Sequence, residues 1–324
     1  MARILVTGAN GFLGSRVVAA LQRAGYEVCA FTRPGRSANC AGVEVFEGDI
    51  NDAQALRRAV EGVTGVVHCA ARVATTGAWE EFAEANIRAT RRLIAAAVEA
   101  GVERIIHISS LSVYAVDTNG ITVAEDSAYE SESDARGHYS RSKLGADRAA
   151  LYEARRGAPV VVLRPGLLYG PGRRPPLARQ SFNVKGLKLI LARRDYRLAI
   201  SDAENVADAV VLALRAPNAI GQAFTIVDEN IRQEEYTSLY RAAAGELWRP
   251  VYLPVGAVGL AARVLEKALG LARRRSPVTY HQIRRATDSA TFDCARARSV
   301  LGWQPRIGVQ EGLDQCFRTL QTTA

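Results

Sequence analysis

The feature that most constrains the fold is a repeated alternation of short apolar runs with helical segments. "RILVTG" is an apolar run that ends in glycine, and "FLGSRVVAALQRAG" follows it with helical periodicity. Further apolar runs are "EVCAFTR", "VEVFEGD", "GVVHCAA", "RIIHISS" and "PVVVLRP", and a long helix is expected from Trp79 to Ala100. Because such alternation is typical of parallel strands with helices on both faces, the sequence predicts an α/β fold with a doubly wound parallel sheet.

The same alternation predicts the domain organisation. Residues 1–170 carry most of the units, and residues 201–228 add one more helix and the strand "QAFTIV". "RPGLLYGPGRRPP" is rich in Pro and Gly and is expected to be loop. Residues 171–200 and 229–324 are expected to form a smaller, mostly helical substrate lobe over the carboxyl edge of the sheet, where open α/β sheets bind ligands.

Composition limits the classes of partner. The five cysteines are scattered without CxxC spacing, which indicates a cytoplasmic protein with neither a disulfide framework nor a zinc site. The four histidines lack metal spacing, so no metal is expected, and His68 and His107 are interpreted as packed strand residues. The net charge is +9, but no basic run contains interleaved aromatics or a nucleic-acid motif. We therefore expect an arginine-rich surface and a small-molecule substrate, with no nucleic acid.

Residues 251–275 resemble an amphipathic helix with a basic end. Arg263, Glu266 and Lys267 interrupt the apolar run, which argues against a membrane-spanning helix. The favoured interpretation is a lid packed over an apolar pocket, because amphipathic helices usually bury their apolar stripe. Peripheral contact with a membrane surface is the alternative.

A glycine-rich turn lies directly between the first strand and the first helix. In "TGANGFLG", glycine permits positive φ, close approach of a phosphate and tight packing of helix on strand. The N-terminus of the helix then offers free N–H groups to a pyrophosphate. The sequence therefore predicts a dinucleotide-binding turn made of Gly8, Asn10, Gly11, Phe12, Leu13 and Gly14.

The end of the second strand bears on which dinucleotide binds. An acidic residue there would bind the ribose hydroxyls of NAD, whereas arginine suits the 2′-phosphate of NADP. This strand ends in "AFTR" without a carboxylate, and Arg33 and Arg36 are the candidate phosphate ligands. NADP(H) is therefore favoured, and NAD(H) is the alternative if these arginines are merely solvated.

"HYSRSKLGAD" places Tyr139 and Lys143 one turn apart on a predicted helix. An ammonium close to a phenol stabilises the phenolate and lowers the pKa of the phenol, which makes tyrosine a usable acid/base at neutral pH. "SSLSVYA" puts Ser110 at the end of the fifth strand, where it could hold a substrate oxygen. The sequence predicts a hydride-transfer centre with Tyr139 as the proton shuttle.

The GxxGxxG spacing, the strand-end serines and the YxxxK pair together resemble the extended short-chain dehydrogenases/reductases, the NAD-dependent epimerase/dehydratase superfamily. The similarity spans nearly the whole chain, including "LGWQPRIGVQEGL" near the end. The resemblance implies a Rossmann-type domain, NAD(P)-dependent chemistry and a homodimer formed through two long helices. It also implies roles for residues outside the two motifs: Asp49 and Ile50 at the adenine, Ala70, Ala71 and Pro165 beside the cofactor, and Asn86 in support of the active site. The alternative for Asn86 is a polar residue on a solvated helix face.

Departures from the family pattern bear on the substrate. Leu111 and Ser112 replace the Asp–Glu pair of dehydratases, and Leu167 replaces an asparagine that faces the diphosphate in many sugar-nucleotide enzymes. Residues 66–115 look most like the 3β-hydroxysteroid dehydrogenase/dihydroflavonol reductase branch. The favoured function is therefore interconversion of a secondary alcohol and a ketone on a fairly apolar substrate.

Two alternatives stay open at this point. Three loop arginines, Arg173, Arg174 and Arg179, could clamp a diphosphate, which keeps a nucleotide-sugar 4-epimerase as the alternative function. A non-catalytic scaffold or sensor is a remote alternative, because such proteins typically lose the Tyr or Lys that is retained here.

Overall fold

The apolar runs form a seven-stranded parallel sheet. The computed structural model describes residues 2–35, 43–74, 76–115, 120–130, 137–177, 181–184, 186–271 and 289–322. The sheet strands are β1 (Arg3–Thr7), β2 (Glu27–Thr32), β3 (Glu44–Glu47), β4 (Gly65–His68), β5 (Arg104–Ile108), β7 (Val160–Pro165) and β12 (Ala223–Ile226). Their order is β3-β2-β1-β4-β5-β7-β12, and every pairing is parallel. Strands β4 and β7 are buried along their whole length, as expected for a sheet covered on both faces.

Helices cover both faces of this sheet, which confirms the predicted doubly wound fold. One face carries α1 (Phe12–Arg23) and α6 (Ala203–Arg215), and the other carries α2 (Ala53–Val60), α4 (Ala89–Glu99) and α5 (His138–Arg155). Leu21 of α1 and Leu56 of α2 are fully buried, one on each face. Burial of such a side chain contributes about 1.5–3 kcal/mol, so the two cores together hold the sheet between its helices.

The chain reverses its direction of winding at β1. From β1 it passes to β2 and β3 on one side, and β4 then pairs with the other side of β1. Ligands of open α/β sheets bind outside the carboxyl ends of the strands at such a switch point. The crevice in question lies beyond Thr7 and His68, which are register partners.

The long helix predicted from Trp79 to Ala100 is present but is not uniform. It consists of α3 (Trp79–Phe82), a π-helical turn (Ala83–Arg88) and α4. Turns of this kind inside α-helices are frequent at functional sites. Hydrophobic periodicity does not distinguish one wider turn from α-helix, so the sequence pattern gave no sign of it.

The smaller lobe contains helices, as predicted, together with short strands that were not predicted. Its helices are α7 (Gln233–Ala244), α8 (Val255–Leu271), α9 (Ala295–Leu301), which packs back on the main sheet, and α10 (Val309–Thr322). The short strands are β6 (Thr122–Val123), β8 (Leu167–Tyr169), β9 (Ser181–Val184), β10 (Leu187–Ile190), β11 (Arg197–Asp202), β13 (Glu229–Arg232), β14 (Arg249–Tyr252) and β15 (Thr291–Phe292). One small sheet has the order β14-β10-β9, a second has β13-β11-β8, and β6 pairs with β15.

The prediction that "RPGLLYGPGRRPP" is loop was wrong at β8. Leu167–Tyr169 pairs in parallel with β11, and Tyr169 is only 1% exposed within the core of the lobe. The Pro and Gly residues flank this strand and do not interrupt it. Three apolar residues between them are enough for a strand because β11 supplies the hydrogen bonds and the lobe supplies the burial.

Candidate active site

The glycine turn has a conformation that other residues could not adopt. Gly8 has a φ of +69°, and a Cβ on it would lie 2.8 Å from backbone atoms of Ala70. The N–H of Gly11 donates to the carbonyl of Gly8 at 2.8 Å, and a Cβ on Gly14 would lie 2.1 Å from that same oxygen. Strand, turn and helix are therefore packed backbone to backbone at the switch point, as a pyrophosphate cradle requires.

The N-terminus of α1 is directed at this cradle. Gly11 is the N-cap residue and has no side chain to accept hydrogen bonds from the first helical turn, which begins at Phe12 and Leu13. Asn10 and Gly11 are exposed at the surface of the turn. The N–H groups at the start of α1 thus fit the pyrophosphate of a dinucleotide, for which the helix dipole adds a partial positive charge.

An unpredicted arginine braces the turn against the lobe. The Arg16 guanidinium donates to the carbonyl of Phe12 at 2.9 Å and also to the carbonyl of Pro171, and it lies 4.6 Å from the centre of the Phe12 ring. The Arg173 guanidinium lies 5.7 Å from the same ring. One turn of α1 and the loop after β8 are therefore tied together beside the cradle. The sequence analysis did not single out Arg16, because its partner Pro171 lies 155 residues away along the chain.

The other predicted cofactor ligands line the carboxyl edge of the sheet. Arg33 is exposed directly after β2, and Arg36 lies outside the described residues. The Asp49 carboxylate is exposed and accepts from the N–H of Asn51 at 2.9 Å, while Ile50 packs against the core. The remaining predicted ligands also lie at strand ends. Ala70 and Ala71 come after β4, and the Ala70 N–H donates to the Thr7 hydroxyl at 3.3 Å. Pro165 is the buried last residue of β7.

Ser110, Tyr139 and Lys143 come together at the carboxyl end of β5. Ser110 caps the short helical turn that follows the strand, and its hydroxyl accepts from the N–H of Ser112 at 3.1 Å. The phenol of Tyr139, in the first turn of α5, forms a hydrogen bond with the side chain of Ser110. Lys143 is only 4% exposed, and its ammonium donates to the carbonyl of Ile108 at 2.6 Å. The strand-end segment "SSLSVYA" and the helix start "HYSRSKLGAD" therefore meet at the carboxyl end of β5.

The ionisation of this centre differs from the prediction. The sequence analysis predicted that Lys143 lowers the pKa of Tyr139. In the structure, burial raises the pKa of Tyr139, and the hydrogen bond with Ser110 opposes that rise. Burial also lowers the pKa of Lys143 to about 8, against the opposing effect of Asp147. The ammonium is occupied by the Ile108 carbonyl at the strand end. Tyr139 is therefore a phenol at neutral pH, which is the form that donates a proton.

Asn86 lies in the π-helical turn and is buried, which excludes the interpretation of a solvated helix face. Its amide nitrogen donates to the Ser142 hydroxyl at 2.8 Å, and that hydroxyl donates to the carbonyl of Tyr139 at 2.8 Å. Its amide oxygen accepts from the N–H of Arg72 at 2.7 Å. Asn86 therefore joins the segment after β4 to the start of α5 and holds the backbone that carries Tyr139.

A buried ion pair behind the centre was missed by the sequence analysis. Asp147 and Arg164 are fully buried, and Arg164 donates to both carboxylate oxygens at 3.0 and 2.8 Å. The Ser109 hydroxyl donates to the same carboxylate at 2.5 Å, and the Tyr129 hydroxyl donates to it at 2.9 Å. One carboxylate thus fixes α5 to the end of β5 and to β7. An arginine inside the apolar run "VVVLRP" was the available signal.

His68 and His107 behave as packed strand residues. His68 is hydrogen-bonded to the hydroxyls of Thr7 at 2.8 Å and Thr90 at 3.0 Å, and burial lowers its pKa to about 3. His107 is 1% exposed, and burial lowers its pKa well below the usual range. Both imidazoles are therefore neutral. Within the described residues there is no cluster of His, Cys, Asp and Glu that could hold a metal ion.

Comparison with known proteins places this chain in a defined family. Residues 4–227 match the model of the NAD dependent epimerase/dehydratase family. The chain is 27% identical over 320 residues to a 2-alkyl-3-oxoalkanoate reductase of Stenotrophomonas maltophilia, with 96% of this chain and 97% of the relative covered. It is 28% identical to a 3 beta-hydroxysteroid dehydrogenase/Delta 5-->4-isomerase of Mycobacterium tuberculosis (98% and 90% covered) and 28% identical to a UDP-glucose 4-epimerase of Vibrio cholerae (96% and 93%).

Solved structures agree with this placement. The crystal structure of gox2253 superposes with a TM-score of 0.86 at 25% identity, covering 100% of this chain and 99% of the other. MoeE5 in complex with UDP-glucuronic acid and NAD superposes with a TM-score of 0.75 at 27% identity, with both chains covered completely. Similar proteins thus include both reductases and sugar-nucleotide enzymes.

Proposed function

We propose that this chain, which belongs to the NAD dependent epimerase/dehydratase family, interconverts a secondary alcohol and a ketone on a fairly apolar substrate, with NADP(H) as the preferred cofactor. The chain is an NAD(P)-dependent enzyme of the extended short-chain dehydrogenase/reductase type. The observation that carries the choice of substrate is the apolar side chain of Leu167 on β8. In the family pattern that this chain resembles, many sugar-nucleotide enzymes carry an asparagine at that position, facing the diphosphate.

The surroundings of Leu167 support an apolar substrate. Leu167 is half-buried, pairs with Ile200 and packs against the core of the lobe. It lies two residues after Pro165, the end of the strand that borders the predicted nicotinamide position. An apolar side chain there offers no hydrogen bond to a diphosphate. Burying even a neutral polar group without a partner costs about 2–7 kcal/mol, and a charged diphosphate oxygen would cost more.

One of the loop arginines is also engaged elsewhere. The Arg174 guanidinium donates to the Tyr240 hydroxyl at 2.9 Å and forms an ion pair with Glu246. A second, Arg179, lies outside the described residues. Because Arg174 already has a carboxylate partner, its recruitment to a diphosphate would require that ion pair to open. This favours the reductase over the epimerase.

The residues of the centre fit carbonyl reduction and its reverse. NADP(H), when bound, would supply or accept the hydride at the substrate carbon. Ser110 would hold the substrate oxygen by a hydrogen bond, and Tyr139 would donate its proton to that oxygen as the C–O double bond becomes a single bond. Lys143 would stabilise the phenolate that remains, and Asn86 would keep the start of α5 in place. In the oxidative direction, the phenolate of Tyr139 would take the proton back.

Arg33 is the residue on which the preference for NADP(H) depends. Its side chain is exposed after β2, and "AFTR" has no carboxylate to bind the ribose hydroxyls of NAD. A guanidinium suits a phosphate because it can donate two parallel hydrogen bonds. NAD(H) is the alternative cofactor, as in the similar structure of MoeE5.

A nucleotide-sugar 4-epimerase is the second candidate, favoured by Arg173. This arginine is exposed beside the phosphate turn, 5.7 Å from the Phe12 ring, where it could reach a second diphosphate. The resemblance to UDP-glucose 4-epimerase adds to this reading. The two candidates differ in their cofactor balance, because epimerisation returns the hydride and reduction consumes it.

The experiment that separates them follows NADPH absorbance with a panel of hydrophobic ketones and, separately, UDP-glucose conversion by chromatography. NADPH oxidation with a hydrophobic ketone, abolished in Tyr139→Phe but with cofactor binding retained, is the expected result. Interconversion of UDP-sugars without net NADPH loss would establish the epimerase instead. A preference for NADH of about tenfold or more, equivalent to about 1.4 kcal/mol, would refute the role of Arg33.

A further inference from the structure

His68, the last residue of β4, is a buried titratable side chain that the proposed chemistry does not use. Its ring is 2% exposed, with Nδ1 2.8 Å from the Thr7 hydroxyl and Nε2 3.0 Å from the Thr90 hydroxyl. Its register partner on β5, His107, is 1% exposed, but neither nitrogen of that ring has a hydrogen-bond partner among the described residues. The two rings therefore have different surroundings although they occupy equivalent positions in the sheet.

The partners of the two hydroxyls determine where the His68 ring carries its proton. The Thr90 hydroxyl donates its one proton to the carbonyl of Asn86 at 2.6 Å, so it accepts from Nε2–H of His68. The Thr7 hydroxyl accepts from the N–H of Ala70 at 3.3 Å, which leaves its own proton for Nδ1. Burial lowers the pKa of His68 to about 3, so the ring is neutral and accepts at one nitrogen while it donates at the other.

These bonds form a continuous buried path from the glycine turn to the proton-transfer centre. At one end the backbone of Ala70 packs against Gly8, where a Cβ would lie 2.8 Å from it. At the other end the Asn86 amide donates to the Ser142 hydroxyl, which donates to the carbonyl of Tyr139, each at 2.8 Å. We call the buried side chains along this path the histidine network: Thr7, His68, Thr90, Asn86 and Ser142.

We propose that His68 is a positioning residue that fixes the backbone of Tyr139 relative to the predicted cofactor wall at Ala70. A neutral imidazole suits this position because it joins two hydroxyls that are each already committed to a backbone group. Hydride and proton transfer need the cofactor and the acid/base in one geometry, and a displacement of about 1 Å can cost about a hundredfold in rate. The inference rests on the proposed function, since the group being positioned is the proton donor of that reaction.

The test compares the same substitution at the two register partners. His68→Leu removes both ring nitrogens from the histidine network. His107→Leu is the matched control, because His107 is similarly buried and its ring nitrogens have no partner among the residues that the structure describes. Thr90→Val removes one hydroxyl of the network and keeps a β-branched side chain of similar size, so it tests the same link if His68→Leu folds poorly. His68→Gln returns one acceptor and one donor to the position and is the rescue variant.

Two measurements are made on each variant. Hydrogen exchange without cofactor follows the backbone N–H groups of residues 141–146 in α5, with α1 as internal reference, and steady-state kinetics gives kcat and KM for ketone reduction by NADPH. We expect His68→Leu and Thr90→Val to raise exchange at residues 141–146 by about tenfold, because the start of α5 opens more easily. They should also lower kcat by about tenfold with KM little changed, since the loss concerns geometry in the transition state. His107→Leu should behave like wild type, and His68→Gln should recover most of both quantities.

Equal exchange at residues 141–146 in His68→Leu and His107→Leu would overturn the proposal, and so would wild-type exchange in Thr90→Val or an unchanged kcat in His68→Leu. Exchange that rises in α1 as much as in α5 would overturn it too, because that result would assign His68 to overall stability alone. A wild-type protein that reduces no ketone would refute the proposed function. The exchange measurements contain no ketone and no cofactor, so they would still decide whether His68 holds the start of α5.

Discussion

The carboxylate of Asp147 is a group whose loss should strongly destabilise this fold. It is fully buried and accepts from Ser109, Tyr129 and two nitrogens of Arg164, each oxygen receiving two bonds. Asp147→Asn keeps the shape of the side chain but turns one oxygen into an NH₂ donor. Two of these bonds then lose their acceptor, and the guanidinium of Arg164 stays buried without a counter-charge.

The expected magnitude follows from these contacts. Removal of one partner of a buried ion pair costs about 3–5 kcal/mol, chiefly because the remaining charge is uncompensated. Two lost bonds to a charged group, at about 1.5–3 kcal/mol each, give a similar range. Because whole domains have a free energy of unfolding of about 5–15 kcal/mol, Asp147→Asn should be folded but strongly destabilised, by about 3–5 kcal/mol.

Urea denaturation followed by circular dichroism measures this loss. The control is Asp195→Asn, because Asp195 pairs with Arg193 where both side chains are more than half exposed, at 59% and 58%. An exposed pair contributes about 0–1 kcal/mol, so the control should change little. The double variant Asp147→Leu with Arg164→Leu should lose less free energy of unfolding than Asp147→Leu and Arg164→Leu lose together. The reason is that the double variant leaves no buried charge without a partner. A loss in Asp147→Asn no larger than in Asp195→Asn would refute the reasoning.

Four further predictions concern the cofactor turn and the ionisable groups. Gly14→Ala should weaken NADPH binding by about tenfold or more in a fluorescence titration, because its Cβ would meet a carbonyl oxygen at 2.1 Å, whereas Gly256→Ala, which meets nothing, should bind normally. Burial lowers the pKa of Lys143 to about 8, so ketone reduction should decline as the pH rises through about 8 and the ammonium is lost. In Asp147→Asn the midpoint of that rate profile should move to lower pH, because Asp147 raises the pKa of Lys143. Burial raises the pKa of Asp228 from 3.8 to about 7, so the folded state binds the proton more tightly and the stability it contributes is lost as the pH rises towards 7. Asp228→Asn should not show that loss, and its free energy of unfolding relative to wild type should rise by about 1–3 kcal/mol between pH 4 and 8.

The parts of the fold that could be predicted are those specified by neighbours in sequence. The glycine turn is an example, because strand, turn and helix are consecutive and a Cβ on Gly11 or Gly14 would meet the backbone of Gly8 within the same turn. The pairing of Tyr139 and Lys143 with Ser110 was also predictable, since a helix start and a strand end suffice to bring them to the carboxyl edge of the sheet.

The parts that could not be predicted depend on partners distant in sequence. Arg164 looks like one residue in an apolar strand, and only the folded chain shows that Asp147, Tyr114 and Tyr129 surround it. The surroundings of Lys143 are a second example. Its ammonium donates to the carbonyl of Ile108, 35 residues away, and burial lowers its pKa to about 8 against the opposing effect of Asp147. The sequence analysis considered only the effect of Lys143 on Tyr139, one turn away.

The contacts of α5 explain why the chemistry of this chain is easier to infer than its substrate. Asn86 holds the start of α5 through Ser142, and Asp147 holds the next turns through Ser109 and Arg164. Both sets of contacts belong to the sheet and its helices, and they hold the helix that carries Tyr139 and Lys143. In the proposed function, the side chains that meet the rest of the substrate, Leu167 among them, lie on β8 and in the lobe beyond it. Relatives with similar identity to this chain include both a 2-alkyl-3-oxoalkanoate reductase and a UDP-glucose 4-epimerase. Because function depends on sites grafted on a common fold, substitutions around Leu167 can change the substrate while the proton-transfer centre keeps its geometry.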